Sequence, residues 1–114
     1  MHEMSLAGGI LKLAEDAARR ERFARVTHLR LEAGRFAGVE VRALRFAIEA
    51  MSPGTCLDGA EVEIDEPAGT GWCLQCNGSV TIERRADPCP QCGSFRWQAT
   101  GGTELRVVDM RVID

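Results

Sequence analysis

The sequence predicts an α+β fold, with two helices on a small three-stranded sheet and a four-cysteine module inserted before the last strand. Three observations predict it. Apolar residues recur at helical spacing in two segments and alternate at strand spacing in three others. Two Cys-x-x-Cys pairs stand between the second and third of those strands, with a glycine-bearing break on either side. The last strand is too apolar to stand alone, because its backbone groups and buried face need a partner.

Residues 4–22 read as the first helix. Leu6, Ile10, Leu13, Ala14 and Ala17 form one apolar stripe, and Glu15, Asp16, Arg19, Arg20 and Arg22 take the other faces. From Val26 to Ala33 the period falls to two. Leu29, Leu31 and Ala33 point inward, His28, Arg30 and Glu32 outward, and Gly34 ends the strand. Val41, Leu44, Ala47, Ile48 and Met51 restore helical spacing, and Ser52-Pro53-Gly54 closes the second helix. Ala60 to Glu66 alternates again, with Val62 and Ile64 inward. Pro67 to Gly71 reads as a flexible break, and Thr100-Gly101-Gly102 as a second one. Leu105 to Ile113 alternates with a phase slip at Val107-Val108 that predicts a β-bulge.

A chain of 114 residues, 45% hydrophobic and 27% charged, is one globular domain or one domain carrying a small insert. No stretch approaches the roughly 20 apolar residues of a membrane helix. The first residues lack a basic segment followed by an apolar core. The expected setting is the cytoplasm, with no membrane attachment. Net charge is −3, and four thiolates on one divalent cation would lower it by two more. A negative chain is poorly suited to a phosphate backbone, so no nucleic-acid partner is expected.

The cysteines are spaced Cys73-x₂-Cys76 and Cys89-x₂-Cys92, with twelve residues between the pairs. Two residues between thiols let one tight turn present both sulfurs to the same ion. Gly78 and Gly93 follow the second cysteine of each pair and would ease the turns. Ser79 to Glu83 and Phe95 to Ala99 are short strand candidates. Free thiols or a redox pair are the plain alternatives, but two pairs at ribbon spacing favour zinc. Four thiolates complete a tetrahedral shell and leave no place for a reacting water, so this zinc is structural. A module of this size buries too little core to fold without its metal. Cys56 stands apart and reads as a small buried hydrophobe.

The chain begins Met1-His2-Glu3-Met4-Ser5-Leu6. The α-amine of Met1, the His2 amide once deprotonated and the His2 imidazole could reach one metal. A fourth donor, from the next amide or a carboxylate, would complete a planar set suited to Ni(II) or Cu(II). The plain reading is a solvated end residue. His28 reads as a surface residue, and Glu40 as a charge in the first turn of the second helix, favoured by the helix dipole.

These residues resemble the HypA/HybF family of hydrogenase nickel-incorporation proteins. The likeness runs from the terminal motif through Val26-Thr27, Val39-Glu40, Ala43 to Phe46, Gly54-Thr55 and Gly59 to Ile64. It continues through both cysteine pairs, Thr100 to Gly102 and Glu104-Leu105. Residues 35–38 (Arg35-Phe36-Ala37-Gly38) depart from the pattern at the approach to Glu40. The resemblance implies a nickel metallochaperone that is not an enzyme. It implies Ni(II) as cargo, held by His2 with backbone nitrogens near Met1, with Glu3 and Glu40 beside it. Zinc would be held by Cys73, Cys76, Cys89 and Cys92. A nickel-binding α/β domain of residues 1–68 and 103–114 would carry an inserted zinc ribbon of residues 69–102. The implied partners are a HypB-type GTPase, the large subunit of [NiFe] hydrogenase and, in some members, urease maturation factors. Both a monomer and a homodimer fit the sequence.

The chief rival is a zinc-ribbon adaptor for nucleic acid or a protein complex, using Arg84, Arg85, Arg96 and Trp97 as a basic, aromatic patch. An enzyme is a second rival, but the sequence has no nucleophile–base pairing and no zinc with an open position.

Overall fold

The computed structural model describes residues 2–114; Met1, one of the expected nickel donors, lies outside them. The order is α1 (His2–Glu21), β1 (Arg25–Ala33), α2 (Val41–Met51), β2 (Glu61–Asp65), β3 (Gly69–Cys73), β4 (Gly78–Ile82), β5 (Trp97–Gly101) and β6 (Leu105–Ile113). Two three-stranded sheets form, one ordered β2-β1-β6 and the other β4-β3-β5. The expected α+β class, with two helices, a small sheet and a four-cysteine ribbon, is what the chain adopts.

The chain divides into two compact units. One comprises residues 1–31, 39–64 and 107–114, the other residues 32–38 and 65–106. In the first unit the buried face of α1 is Ala7, Ile10, Ala14 and Ala17. The expected stripe is right except at Leu13, which is 47% exposed, while Ala7 takes a buried place instead. Small side chains suit that face because α1 packs closely along α2. Arg22, in the left-handed region at φ 59°, ends α1. The Phe23 N–H then reaches back to the Ala18 carbonyl at 3.2 Å, closing a Schellman-type turn. Leu44, Ala47 and Ile48 of α2, Val26, Leu29 and Leu31 of β1 and Val62 of β2 are buried with that face. Burial in β1 slips phase between Val26 and Leu29, and in β6 Val107 and Val108 are both half-buried.

The second unit holds the ribbon. β3 pairs antiparallel with β4 (Cys73 opposite Gly78) and with β5 (Cys73 opposite Trp97), with an irregularity at Thr70/Gly71. Two expected breaks are therefore corrected. Gly69 to Gly71 is strand, not flexible linker, and Thr100-Gly101 completes β5, which starts at Trp97 rather than Phe95. Glycine serves there as a strand residue because partners on both sides of β3 satisfy the backbone, outweighing its low intrinsic strand preference. The ribbon's core is Phe36, Cys73, Val80, Ile82 and Cys89, with Trp97 packed against it. Phe36 comes from the short segment after β1. Its ring lies so close over Gly69 that a Cβ there would stand 2.2 Å from the ring. Only glycine admits that approach.

Candidate metal centres

The four cysteines sit on two equivalent turns. In the first, the Asn77 N–H donates to the Cys73 carbonyl at 2.8 Å; in the second, the Gly93 N–H donates to the Cys89 carbonyl at 2.8 Å. Asn77 (φ 55°) and Gly93 (φ 75°) both occupy the left-handed region. The expectation that Gly78 serves the first turn is corrected: Asn77 does so, and Gly78 begins β4. Asparagine is among the few residues with a side chain that visit this region readily, which is the local signal for its role.

The turns bring Cys73, Cys76, Cys89 and Cys92 together, with all four sulfurs within 4.8 Å of one another. Cys73 and Cys92 Sγ are 3.6 Å apart, and Cys76 and Cys89 Sγ 3.8 Å. A tetrahedral Zn²⁺ with Zn–S bonds of about 2.3 Å requires sulfur separations of about 3.8 Å, so the cluster fits zinc. No disulfide forms. The Cys76 N–H reaches Cys73 Sγ at 3.3 Å, the kind of outer donor that steadies a thiolate. Backbone N–H groups of Cys92 and Gln91 pull the Cys89 thiol down to about 7, readying it as a thiolate. The neighbouring Cys92 thiol pushes Cys76 up to about 12, a barrier that a bound divalent cation removes. Cys56 is buried in the first unit, and burial together with Glu15 pushes its thiol up to about 11. It is a core residue, as expected.

The second group lies where α1 and α2 begin. His2 is exposed in the first turn of α1, with Nδ1 3.6 Å from Glu3 Oε2. Glu3 Oε2 also accepts the Glu40 backbone N–H at 3.2 Å. That N–H, followed by Glu3's own, holds the Glu3 carboxyl below its ordinary 4.5. Glu40 is the N-cap of α2 rather than a first-turn residue. Its two carboxylate oxygens accept the N–H groups of Arg42 at 3.2 Å and Ala43 at 2.9 Å. His2, Glu3 and Glu40 are thus linked through α1 and the α2 cap. Among the described residues, the four cysteines are the one group of three or more donors gathered tightly enough to hold an ion as they stand.

His28 is exposed, with Nε2 2.8 Å from Glu61 Oε2, in keeping with a surface role. Two of the four residues in the basic, aromatic patch of the adaptor reading, Arg85 and Trp97, are occupied within the ribbon. Arg85 donates to the Phe36 carbonyl through Nε at 3.2 Å and Nη2 at 3.0 Å, and lies 5.1 Å over the Phe36 ring. Trp97 stacks on Phe36 and donates its indole N–H to the Asp87 carbonyl at 2.9 Å. A stacked, hydrogen-bonded tryptophan offers little face to a base. No described helix is long and apolar enough to cross a membrane.

Comparison with known proteins agrees in sequence and in fold. A family model described as hydrogenase/urease nickel incorporation, metallochaperone, hypA, matches residues 1–112. The chain is 68% identical over 114 residues to the hydrogenase maturation factor HypA of Cupriavidus necator, covering 100% of this chain and 96% of that protein. It is 64% identical over 114 residues to the factor of the same name from Polaromonas naphthalenivorans, covering 100% and 99%. A solution structure of the Ni metallochaperone HypA from Helicobacter pylori matches with a TM-score of 0.68 at 17% identity, over 97% of each chain. A second solution structure, of a HypA protein, matches with a TM-score of 0.72 at 18% identity, over 99% and 97%. At such identities the two structures speak for the fold alone.

Proposed function

The chain belongs to the HypA family of hydrogenase/urease nickel-incorporation metallochaperones, and on that premise we propose that it binds Ni(II) at its amino end and passes it on for assembly of [NiFe] hydrogenase. The proposed donors are the α-amine of Met1 and the amide and imidazole of His2, with Glu3 and Glu40 beside them. Zinc stays in the four-cysteine ribbon as a structural ion. The reading makes the protein a carrier that forms and breaks no covalent bond.

The observation that carries the proposal is the position of His2 and Glu3 in the first turn of α1. The opening N–H groups of a helix have no partner within it, so amide nitrogens there can take a metal without breaking a helix hydrogen bond. His2 is exposed, which leaves the imidazole open to an incoming ion and to a receiving protein. A site with few side-chain donors also suits a carrier, because a partner can replace the donors one at a time. Cu(II) binds such donors more tightly than Ni(II), so selectivity rests on metal supply and on the partner. The proposed partners are a HypB-type GTPase and the hydrogenase large subunit, with urease maturation factors as further clients, in the cytoplasm. We take residues 1–68 and 103–114 as the nickel-binding domain and 69–102 as the ribbon inserted in it.

The test is calorimetric Ni(II) titration of untagged protein, of His2→Ala and of protein extended by one residue before Met1. The proposal expects both changes to weaken binding by tenfold or more. Equal affinity in all three would remove the terminal site.

A further inference from the structure

Glutamate is an unusual N-cap; serine, threonine, aspartate and asparagine serve better because their shorter side chains reach N2 and N3 more readily. Glu40 nevertheless caps α2 with extended backbone (φ −84°, ψ 104°). Both of its carboxylate oxygens are engaged by the helix, on the N–H groups of Arg42 and Ala43. Its carbonyl accepts the first helical hydrogen bond, from Leu44 N–H at 2.9 Å. What Glu40 offers to α1 is its backbone N–H, donated to Glu3 Oε2. Glu3 is in turn the carboxylate nearest the His2 ring.

We infer that Glu40 acts on nickel as a positioning residue and not as a ligand: its side chain caps α2, its N–H anchors the Glu3 carboxylate, and Glu3 supplies the oxygen donor beside His2. The inference rests on the terminal nickel site proposed above and divides the labour within it. Both Glu40 oxygens are held at the start of α2, on the N–H groups of Arg42 and Ala43, and the group of Glu40 that reaches α1 is its backbone N–H, on the carboxylate beside His2. A metal-ligating carboxylate, by contrast, characteristically carries an outer hydrogen bond that fixes its orientation. The Glu40 N–H stands in that relation to Glu3. On this account the cap matters because fraying of the first turn of α2 would move the N–H that holds Glu3.

The two roles separate on substitution. Glu40→Ser keeps a good helix cap and has no carboxylate, whereas Glu40→Ala has neither. Ni(II) calorimetry on untagged full-length protein should find Glu40→Ala weakened about tenfold, the scale of losing an outer-shell support. Glu40→Ser should return to within about twofold of the unchanged protein, and Glu3→Gln should bind at least as weakly as Glu40→Ala. Circular dichroism of each apo variant verifies that the fold is kept. If Glu40→Ser binds as poorly as Glu40→Ala, the carboxylate itself is the ligand and the inference is overturned. If neither change weakens binding, Glu40 has no role and the inference is likewise overturned. A parallel His2→Ala titration separates the two failures: unchanged affinity there sinks the terminal site itself.

Discussion

The ring of Phe36 stacks on the indole of Trp97, with centroids 5.6 Å apart and planes inclined by 24°. The pair closes the core that also holds Cys73 and Cys89, so the metal-bearing turns rest on a residue far ahead of them in the chain. Phe36 is 4% exposed. Phe36→Ala should therefore cost about 3–5 kcal/mol, the usual range for a buried phenylalanine. A ribbon with so small a core would then hold zinc loosely. Zinc release to a colorimetric chelator should be much faster than in the unchanged protein, with Phe36→Leu intermediate.

Replacing Cys73 with serine removes one of four thiolates and leaves Cys89, its buried companion, without the shared ion. Structural zinc contributes roughly 10–16 kcal/mol to folding of small zinc modules. The variant should lose zinc and the amide dispersion of β3, β4 and β5, while α1 and α2 keep theirs. Nickel titration should show terminal binding largely retained. Loss of both metals together would contradict independent folding of the first unit.

Gly34 is buried, and a Cβ on it would lie 2.1 Å from the Gly102 carbonyl oxygen. The obstacle is backbone, so relief requires moving one chain segment. Gly34→Ala should lower stability by about 1–3 kcal/mol or more, the cost of overpacking. Gly9, within α1, has nothing within 4 Å of the same construction. Gly9→Ala should raise stability by about 0.5–1 kcal/mol through helix propensity. Thermal unfolding of the two variants should therefore move in opposite directions.

The Glu3–Glu40 hydrogen bond is pH-dependent. The Glu40 N–H holds the Glu3 carboxyl below 4.5 in the folded protein. A lowered folded value means that the contact stabilises in full above the unfolded value and is lost as pH falls through the lowered one. The Glu40 amide proton, followed by NMR, should titrate with a midpoint below 4.5. Glu3→Gln should abolish that transition.

Much of this was legible because the signals are local. The cysteine spacing determines which sulfurs share a turn, and the helical and strand periods assign inward faces within a few residues. Leu13 escaped because the stripe it shares with Ile10 and Ala14 is wider than the surface that α2 covers, and burial went to Ala7. The segment 67–71 read as linker because one proline and two glycines in five residues outweigh the strand signal of Thr70. Two flanking strands reverse that balance through backbone pairing.

By itself the sequence determined which four cysteines gather, the two helices with the strands β1, β2 and β6, and the family, since each is written in residue types at short fixed spacing. Only the tertiary structure decided that Phe36 belongs to the ribbon, that Arg85 and Trp97 are occupied there, and that Glu40 turns its carboxylate to α2 and its N–H to Glu3. Those outcomes depend on which distant groups packing brings within hydrogen-bonding reach, and no local period encodes that distance.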